Sequence, residues 1–400
     1  MTLQRALIVG ASHAGAQLAA SLRQEGWVGE IVLIGEESAL PYQRPPLSKS
    51  YLAGTSTLDE LAIRSAEFYR KQGIRLLDAT VTAIDRSAGH VVLNTGDALP
   101  YDKLALCTGA RPRRLSTPGA DLAGVYYLRT AADVESIREA ARPGLRAVIV
   151  GGGYIGLETA ASLRALGLEV TVLEATGRVL ERVTAPEVSA FFDRIHREEG
   201  VNIRTGALVE ALSGDGRVRE VVLASGESIP TDLVIVGIGV EPNTELAAAA
   251  GLVVDNGIEI NDHARTSAPD IVAAGDCASH VMARYGRRIR LESVPSAGEQ
   301  AKVAAATICG KSKKIAALPW FWSDQYDLKL QIAGLNTGYD EVVLSGDPTR
   351  DRDFSCFYLH AGELIAADCI KRPRDFMFSK RVITQQLPVG RAELVLADSA

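Results

Sequence analysis

Four consecutive apolar residues, Ala6-Leu7-Ile8-Val9, read as a short buried strand. The turn Gly10-Ala11-Ser12-His13-Ala14-Gly15 interrupts them, an alanine-rich helix follows, and a second apolar run from Ile31 to Ile34 leads into Glu36. This order predicts the strand, turn, helix and strand of a dinucleotide-binding unit. Gly10 suits a sharp strand-to-helix turn, and Gly15 lets the helix lie close on the strand. The middle glycine of a G-x-G-x-x-G pattern is replaced by Ser12, which loosens the match. The N–H groups at the helix start make an anion site suited to a pyrophosphate. Glu36 is placed to accept hydrogen bonds from an adenosine ribose. An ordinary glycine-rich βα turn is the plain alternative.

The same pattern occurs a second time. Arg5 to Arg23 and Arg146 to Arg164 align without a gap, and Ala19-Ala20-Ser21-Leu22-Arg23 is repeated as Ala160-Ala161-Ser162-Leu163-Arg164. The second copy carries the full fingerprint Gly151-Gly152-Gly153-Tyr154-Ile155-Gly156, and its strand Val170 to Leu173 ends in Glu174. Two such folds in one chain imply two dinucleotides, and the chemistry that needs both side by side is hydride passage between a nicotinamide and a flavin. Glu158 stands where the first copy has Gln17. It is read either as a hydrogen-bond partner for a nicotinamide carboxamide or as a solvent-facing glutamate. Glu174 favours a free ribose 2′-hydroxyl over a 2′-phosphate, since like charges near 4 Å repel by about 4 kcal/mol at an effective dielectric of 20. NADH is therefore expected, with Arg178 and Arg182 close enough in sequence to soften the repulsion.

Elsewhere the pattern predicts a helix and short strands over residues 62 to 85, and a strand from Tyr101 to Leu106 that runs into Thr108-Gly109. There the chain leaves one domain and its backbone approaches the cofactor. Pro45 and Pro46 are read as holding the chain extended ahead of a helix, fixing where Arg44 and Lys49 point. Arg44 then neutralises a cofactor phosphate and Lys49 lies against the flavin ring, or both are solvated cations on a rigid loop. The second unit closes at Gly237-Ile238-Gly239, with Gly239 counted among the cofactor-binding backbone, and the chain crosses back. A strand ending at Gly275-Asp276 places Asp276 to bind a ribityl hydroxyl, and a helix from Ser296 to Cys309 aims its positive end at the flavin. From Pro319 on, alternating apolar residues predict an antiparallel sheet and a final helix, Phe376 to Gln385. Trp320 is read as seam packing and Trp322 as a flavin-ring contact.

The expected architecture is α/β, with residues 1–112 and 242–318 forming a discontinuous FAD domain, 113–241 an NADH domain, and 319–400 a C-terminal α+β domain. At 400 residues the chain suits two or three domains. A net charge of -6 gives no general basic footprint, which argues against nucleic acid as a main partner. Cys107, Cys277, Cys309, Cys356 and Cys369 form no C-x-x-C pair, so reduced thiols are expected, and the dispersed histidines offer no metal site. No basic-then-apolar leader precedes the first strand and no apolar run reaches about 18 residues, so a cytoplasmic protein is expected.

These residues together resemble the FAD-dependent ferredoxin reductases of bacterial oxygenase systems, nearly end to end. The resemblance rests on the paired fingerprints, Arg44-Pro45-Pro46-Leu47-Ser48-Lys49, Thr108-Gly109-Ala110-Arg111-Pro112-Arg113, Gly275-Asp276, Ser293-Val294-Pro295 and Trp320-Phe321-Trp322-Ser323-Asp324-Gln325. It implies a glutathione-reductase-like pair of dinucleotide domains. It also implies that His13, Ala14, Glu36, Lys49, Val81, Arg129, Asp276 and Val294 help hold FAD. Tyr154, Ile155, Gly156, Glu158, Glu174 and Arg182 would bind NADH, and a small iron-sulfur ferredoxin would take the electrons. Lys49, Glu158 and Trp322 are the expected catalytic residues. Two other readings share this fold: a disulfide reductase, which needs the cysteine pair the chain lacks, and a redox-sensing interaction protein resembling apoptosis-inducing factor. Lys311, Lys313 and Lys314, with Lys371, Arg372, Arg374, Lys380 and Arg381, form either a cationic rim that steers an acidic ferredoxin towards the flavin or a solvated surface.

Overall fold

A computed structural model describes residues 4–396. Its contacts divide the chain into two compact units. The first comprises the chain up to Arg44, Thr57–Arg111 and Val240–Ala317; the second comprises Pro45–Ser56, Pro112–Gly239 and everything from Leu318.

The first unit is built on β1 (Arg5–Val9), α1 (His13–Gln24) and β2 (Glu30–Gly35). Its sheet is parallel, in the order Ile271–Ala273, Lys103–Leu106, β1, β2, Ile74–Asp78. β1 is solvent-free from Ala6 to Ile8, because α1 and the Val294–Ile308 helix both pack in this unit. That burial explains why the strand is an unbroken apolar run rather than an alternating one.

The second unit repeats the design with β3 (Arg146–Val150), α2 (Tyr154–Ala165) and β4 (Glu169–Glu174). Its parallel sheet runs Asn202–Thr205, β4, β3, Leu233–Val236, Val125–Tyr127. The repeat extends beyond the 19-residue match visible in the sequence. Arg5 N–H donates to Asp102 at 2.6 Å and Arg146 N–H to Asp232 at 2.9 Å, the same stitch at the same place. Each unit also carries a three-stranded antiparallel sheet, Val81–Asp85 with His90–Leu93 and Ala98–Pro100, and Val209–Ser213 with Glu220–Leu223 and Ser228–Pro230. Arg23 ties the end of α1 to the Gln72 carbonyl, as Arg164 ties α2 to that of Glu199. The helix α3 (Pro186–Glu198) buries Phe191, Phe192, Ile195 and His196 on one face.

The C-terminal segment is a five-stranded antiparallel sheet that begins with β5 (Trp320–Gln325), then runs Leu328–Gly334, Glu363–Ile370, Phe354–His360 and Glu341–Ser345. The expected final helix spans Pro373–Gln385, and a further helix, Arg391–Leu396, was not expected. The two-proline segment departs from expectation: Pro45–Ser48 is a 3-10 turn, not extended chain. Proline's fixed φ suits the first helical positions, where its missing N–H costs nothing. The turn is held in the second unit because Ser162 Oγ donates to the Ser48 carbonyl at 2.7 Å and the Tyr51 hydroxyl to Glu135 at 2.8 Å.

Candidate functional site

In the first unit, Gly10 has φ +109°, and a Cβ there would stand 2.0 Å from the Cys107 carbonyl oxygen; a Cβ on Gly15 would stand 1.9 Å from that of Gly10. Both glycines are therefore obligatory. Ser12 is not a defect: its backbone is extended (φ −119°), a conformation open to any residue, and it caps α1 without using its side chain on the helix. Arg44 reaches this turn. It pairs with Glu37, donates to the Tyr42 hydroxyl at 2.9 Å and approaches Ser12 Oγ at 3.4 Å, so it is anchored at the turn rather than waving in solvent.

Gly275 comes within reach of the same turn, since a Cβ on it would lie 3.0 Å from that of Ala14. Gly275 N–H donates to buried Gln300 on the Val294–Ile308 helix, and Asp276 follows directly. Thr108 and Gly109 are locked to the returning chain: the Thr108 hydroxyl donates to the Asn243 carbonyl at 2.6 Å, and Asn243 N–H to the Gly109 carbonyl at 3.0 Å. Val81 is buried, Glu36 is exposed at the end of β2, and Val294 begins its helix. His13 and Ala14 open α1, Asp276 follows the Ile271–Ala273 strand and Arg44 lies on the loop after β2, all within the first unit.

The second unit shows the matching turn. Gly151 has φ +114°, and a Cβ there would stand 2.3 Å from the Gly237 carbonyl oxygen. A Cβ on Gly153 would meet nothing within 4 Å, so the outer face of this turn is open, as a cradle for a phosphate chain requires. Neither N-cap, Ser12 nor Gly153, bonds its own helix through a side chain. Both turns therefore fit a dinucleotide pyrophosphate. Glu174 accepts from Gly152 N–H at 2.7 Å and from Thr176 N–H and Oγ1, both at 2.9 Å, which leaves acceptor capacity on a carboxylate. Arg178 is committed elsewhere: its guanidinium bonds Ser189 and the Glu181 and Thr184 carbonyls. Arg182 and Arg113 both lie near Gly239. Arg129 N–H donates to Asp133, part of the capping box at Thr130.

Glu158 is 4% exposed, which removes the solvent-facing reading. Its Oε2 accepts from Lys49 Nζ at 2.6 Å and Ser48 Oγ at 2.6 Å, and its Oε1 accepts from Ser323 Oγ at 2.6 Å. Lys49 is thereby paired, not solvated; it also donates to the Pro45 carbonyl. Beside the pair lies an aromatic row: Tyr154 against Phe321 with ring centroids 5.1 Å apart, Phe321 against Trp322 at 6.4 Å, and Trp322 against Trp320 at 5.6 Å. Trp320 also packs on Phe376 and receives the Lys380 ammonium over its face. Ser48 and Ser323 were missed from the sequence although both lie in runs singled out there, because a serine carries no signal until its partner is known.

All five cysteines are free, and burial pushes each thiol above its ordinary range, so none is a nucleophilic thiolate. Half of the expected cationic rim pairs with carboxylates: Lys311 with Glu25, Lys314 with Asp262, Lys371 with Asp327 and Arg372 with Asp353. Among the described residues no helix is long and apolar enough to cross a membrane.

Comparison with known proteins assigns residues 4–301 to the pyridine nucleotide-disulphide oxidoreductase family and residues 320–400 to the reductase C-terminal family. Putidaredoxin reductase CamA of Pseudomonas putida is 48% identical over 96% of this chain and 92% of its own length. The anthranilate 1,2-dioxygenase system ferredoxin–NAD(+) reductase component of Burkholderia cepacia is 41% identical over 94% of this chain and 93% of its own. Among solved structures, the covalent putidaredoxin reductase–putidaredoxin complex matches with a TM-score of 0.95 and 46% identity, covering 99% of this chain and 96% of that one.

Proposed function

From the premise that this chain belongs to the pyridine nucleotide-disulphide oxidoreductase family, we propose that it is an NADH-dependent ferredoxin reductase, an FAD flavoprotein that feeds electrons to a small iron-sulfur protein of an oxygenase system. The observation that carries this reading is the twin turn, two glycine-built cradles on two parallel sheets, joined to a C-terminal reductase sheet and to no reactive thiol. Bound FAD would supply the redox chemistry, coupling two-electron hydride donation by NADH to one-electron acceptors.

The chain's own residues bind and orient. Gly10, Ser12, His13, Ala14, Gly15, Glu36, Arg44, Val81, Thr108, Gly109, Asp276 and Val294, within residues 1–112 and 242–318, are assigned to FAD, together with Arg129 from the 113–241 segment. Gly151, Gly153, Tyr154, Ile155, Gly156, Glu174, Arg182 and Gly239 are assigned to NADH, within residues 113–241. Lys49 supplies a fixed positive charge for the flavin, and Glu158, with one lone pair on Oε1 still open, accepts from a nicotinamide carboxamide N–H. Trp322 is assigned to the ring contact. NADH is preferred to NADPH because Glu174 meets the ribose and Arg178 is already spent on Ser189 and two carbonyls. Free, buried thiols support a reducing compartment, the cytoplasm.

An acidic ferredoxin is the proposed partner, although four of the eight rim cations are neutralised by carboxylates, so any steering is weak. The test is anaerobic: purified protein, NADH and an oxidised plant- or adrenodoxin-type iron-sulfur protein, read by reduction of the latter. Reduction that requires NADH supports the assignment, and NADH-dependent reduction of a disulfide substrate instead would refute it.

A further inference from the structure

Behind the Lys49–Glu158 pair lies a file of buried polar residues that binding and charge alone leave unexplained. Ser323 Oγ meets Glu158 Oε1 at 2.6 Å, and Gln325 Nε2 meets Ser323 Oγ at 3.1 Å. Gln325 Oε1 meets His196 Nε2 at 2.8 Å, and the Tyr326 hydroxyl meets His196 Nδ1 at 3.0 Å. Ser323 and Gln325 are 1% exposed and His196 is fully buried. Apolar side chains would fill the same space without the need to satisfy every donor and acceptor.

The file has only one consistent direction. A carboxylate paired with Lys49 accepts and does not donate, so the Ser323 hydrogen points at Glu158. The Ser323 oxygen then accepts, which turns the amide N–H of Gln325 towards it and the Gln325 carbonyl towards His196. A carbonyl cannot donate, so His196 carries its hydrogen on Nε2, and bare Nδ1 accepts from Tyr326. Burial lowers the His196 pKa from 6.5 to about 4, so the ring stays neutral and keeps that tautomer at ordinary pH. Four dipoles line up on one anion, an arrangement in which each hydrogen bond strengthens the next.

The backbone bears out the importance of the far end. Tyr326 and Asp327 form the two-residue turn between β5 and the Leu328–Gly334 strand, and Tyr326 has φ +56°. Such turns favour Asn or Gly, and a bulky residue held there is strained. The strain is retained where the tyrosine hydroxyl anchors the hairpin to His196 on α3.

We propose that Tyr326, His196, Gln325 and Ser323 are positioning residues that aim a one-way file of hydrogen bonds at Glu158 and so fix the carboxylate against Lys49. The proposal rests on the hydride-transfer role given to that pair, but its first test needs no turnover. In the full-length, flavin-containing protein labelled with 15N-histidine, the His196 resonance, assigned by its loss in His196→Phe, is expected to show a neutral ring protonated on Nε2 at pH 7. In Gln325→Leu the lock is removed and both tautomers appear; the rate of flavin bleaching by NADH falls about tenfold, the cost of losing an outer partner, while half-saturation by NADH moves less than about twofold. Gln325→Met, which keeps the side-chain length and removes both the carbonyl that faces His196 and the amide that faces Ser323, gives the same loosening of the tautomer if Gln325→Leu does not fold. A wild-type ring protonated on Nδ1, or a folded Gln325→Leu that bleaches at the wild-type rate, overturns the proposal. Should NADH fail to bleach the flavin in the wild type, the functional reading falls, and the tautomer still decides whether the file exists.

Discussion

Lys49 Nζ and Glu158 Oε2 meet at 2.6 Å, although 109 residues separate them in sequence. The pair is largely removed from solvent, with side-chain exposures of 19% and 4%, so each charge depends on the other. Breaking a buried pair from one side costs about 3–5 kcal/mol because the remaining charge stays buried. Lys49→Met is therefore expected to lower the melting temperature more than Lys49→Met/Glu158→Gln does. A thermal melt of both variants checks this, and equal losses would show that the two charges act independently.

With the hydride-transfer role proposed for this pair, Glu158→Gln, which keeps the shape and removes the charge, should slow flavin bleaching by about 100-fold, the scale of losing one preorganised electrostatic contact. Stopped-flow mixing with NADH under anaerobic conditions measures it. Bound flavin content should not change.

The two cradles can be broken separately. Gly151→Ala places a Cβ 2.3 Å from the Gly237 carbonyl oxygen at φ +114°, so NADH binding should be lost while the protein remains yellow. Gly10→Ala, with its Cβ 2.0 Å from the Cys107 carbonyl oxygen, should yield protein depleted of flavin. Ser12→Gly should leave flavin content as it is, because Ser12 needs no special backbone angle. Flavin-to-protein ratios and NADH titrations separate the three.

Removing Glu174 should not by itself create an NADPH enzyme. Glu174→Ala removes the proposed ribose acceptor and the bonds to Gly152 and Thr176, so KM for NADH should rise, by about tenfold for a loss of 1.4 kcal/mol. Arg178 stays tied to Ser189 and the two carbonyls, so KM for NADPH should not fall. Steady-state kinetics with both nucleotides reads the outcome.

Two buried groups pull the pH dependence of stability in opposite directions. Asp368, bonded to Thr184 and Tyr358, has its pKa raised from 3.8 to about 6 by burial, so its contribution is complete below about pH 4 and is lost as pH rises through 6. His196, lowered to about 4 by burial, with the side-chain bond to Gln325 and the charge of Asp193 opposing, contributes fully above about 6.5 and loses this as pH falls through 4. Asp368→Asn, neutral at every pH, should therefore gain on the wild type as pH rises from 4 to 7. Melting temperatures of both proteins across that range give the difference directly.

Much of this was legible in the chain before any coordinates. The repeat of Arg5–Arg23 as Arg146–Arg164 located both sheets, because a buried parallel strand must be an apolar run and its turn must carry glycine. Glu158 stood out as a charge replacing Gln17 within a matched helix, yet sequence left it between cofactor and solvent; burial and three protein donors remove the solvent reading. The remainder of the repeat, including the Asp102 and Asp232 stitches, was hidden because hydrogen bonding to one backbone N–H constrains little else of the sequence. The placement of Pro45–Ser56 in the second unit was unreadable, since its partners Glu158, Ser162 and Glu135 lie far along the chain. The His196–Gln325 contact was invisible for the same reason: Gln325 is recognisable in its run, but nothing local marks the histidine that faces it.

The most direct measurement is an anaerobic titration of the purified protein with NADH, followed by oxidised iron-sulfur protein. The account predicts a yellow protein that bleaches with one NADH per flavin and regains its colour as two one-electron acceptors per flavin are reduced, with the same result after all five cysteines are replaced by alanine. A protein that is colourless after reconstitution with FAD, or one whose recolouring needs a thiol, would contradict it.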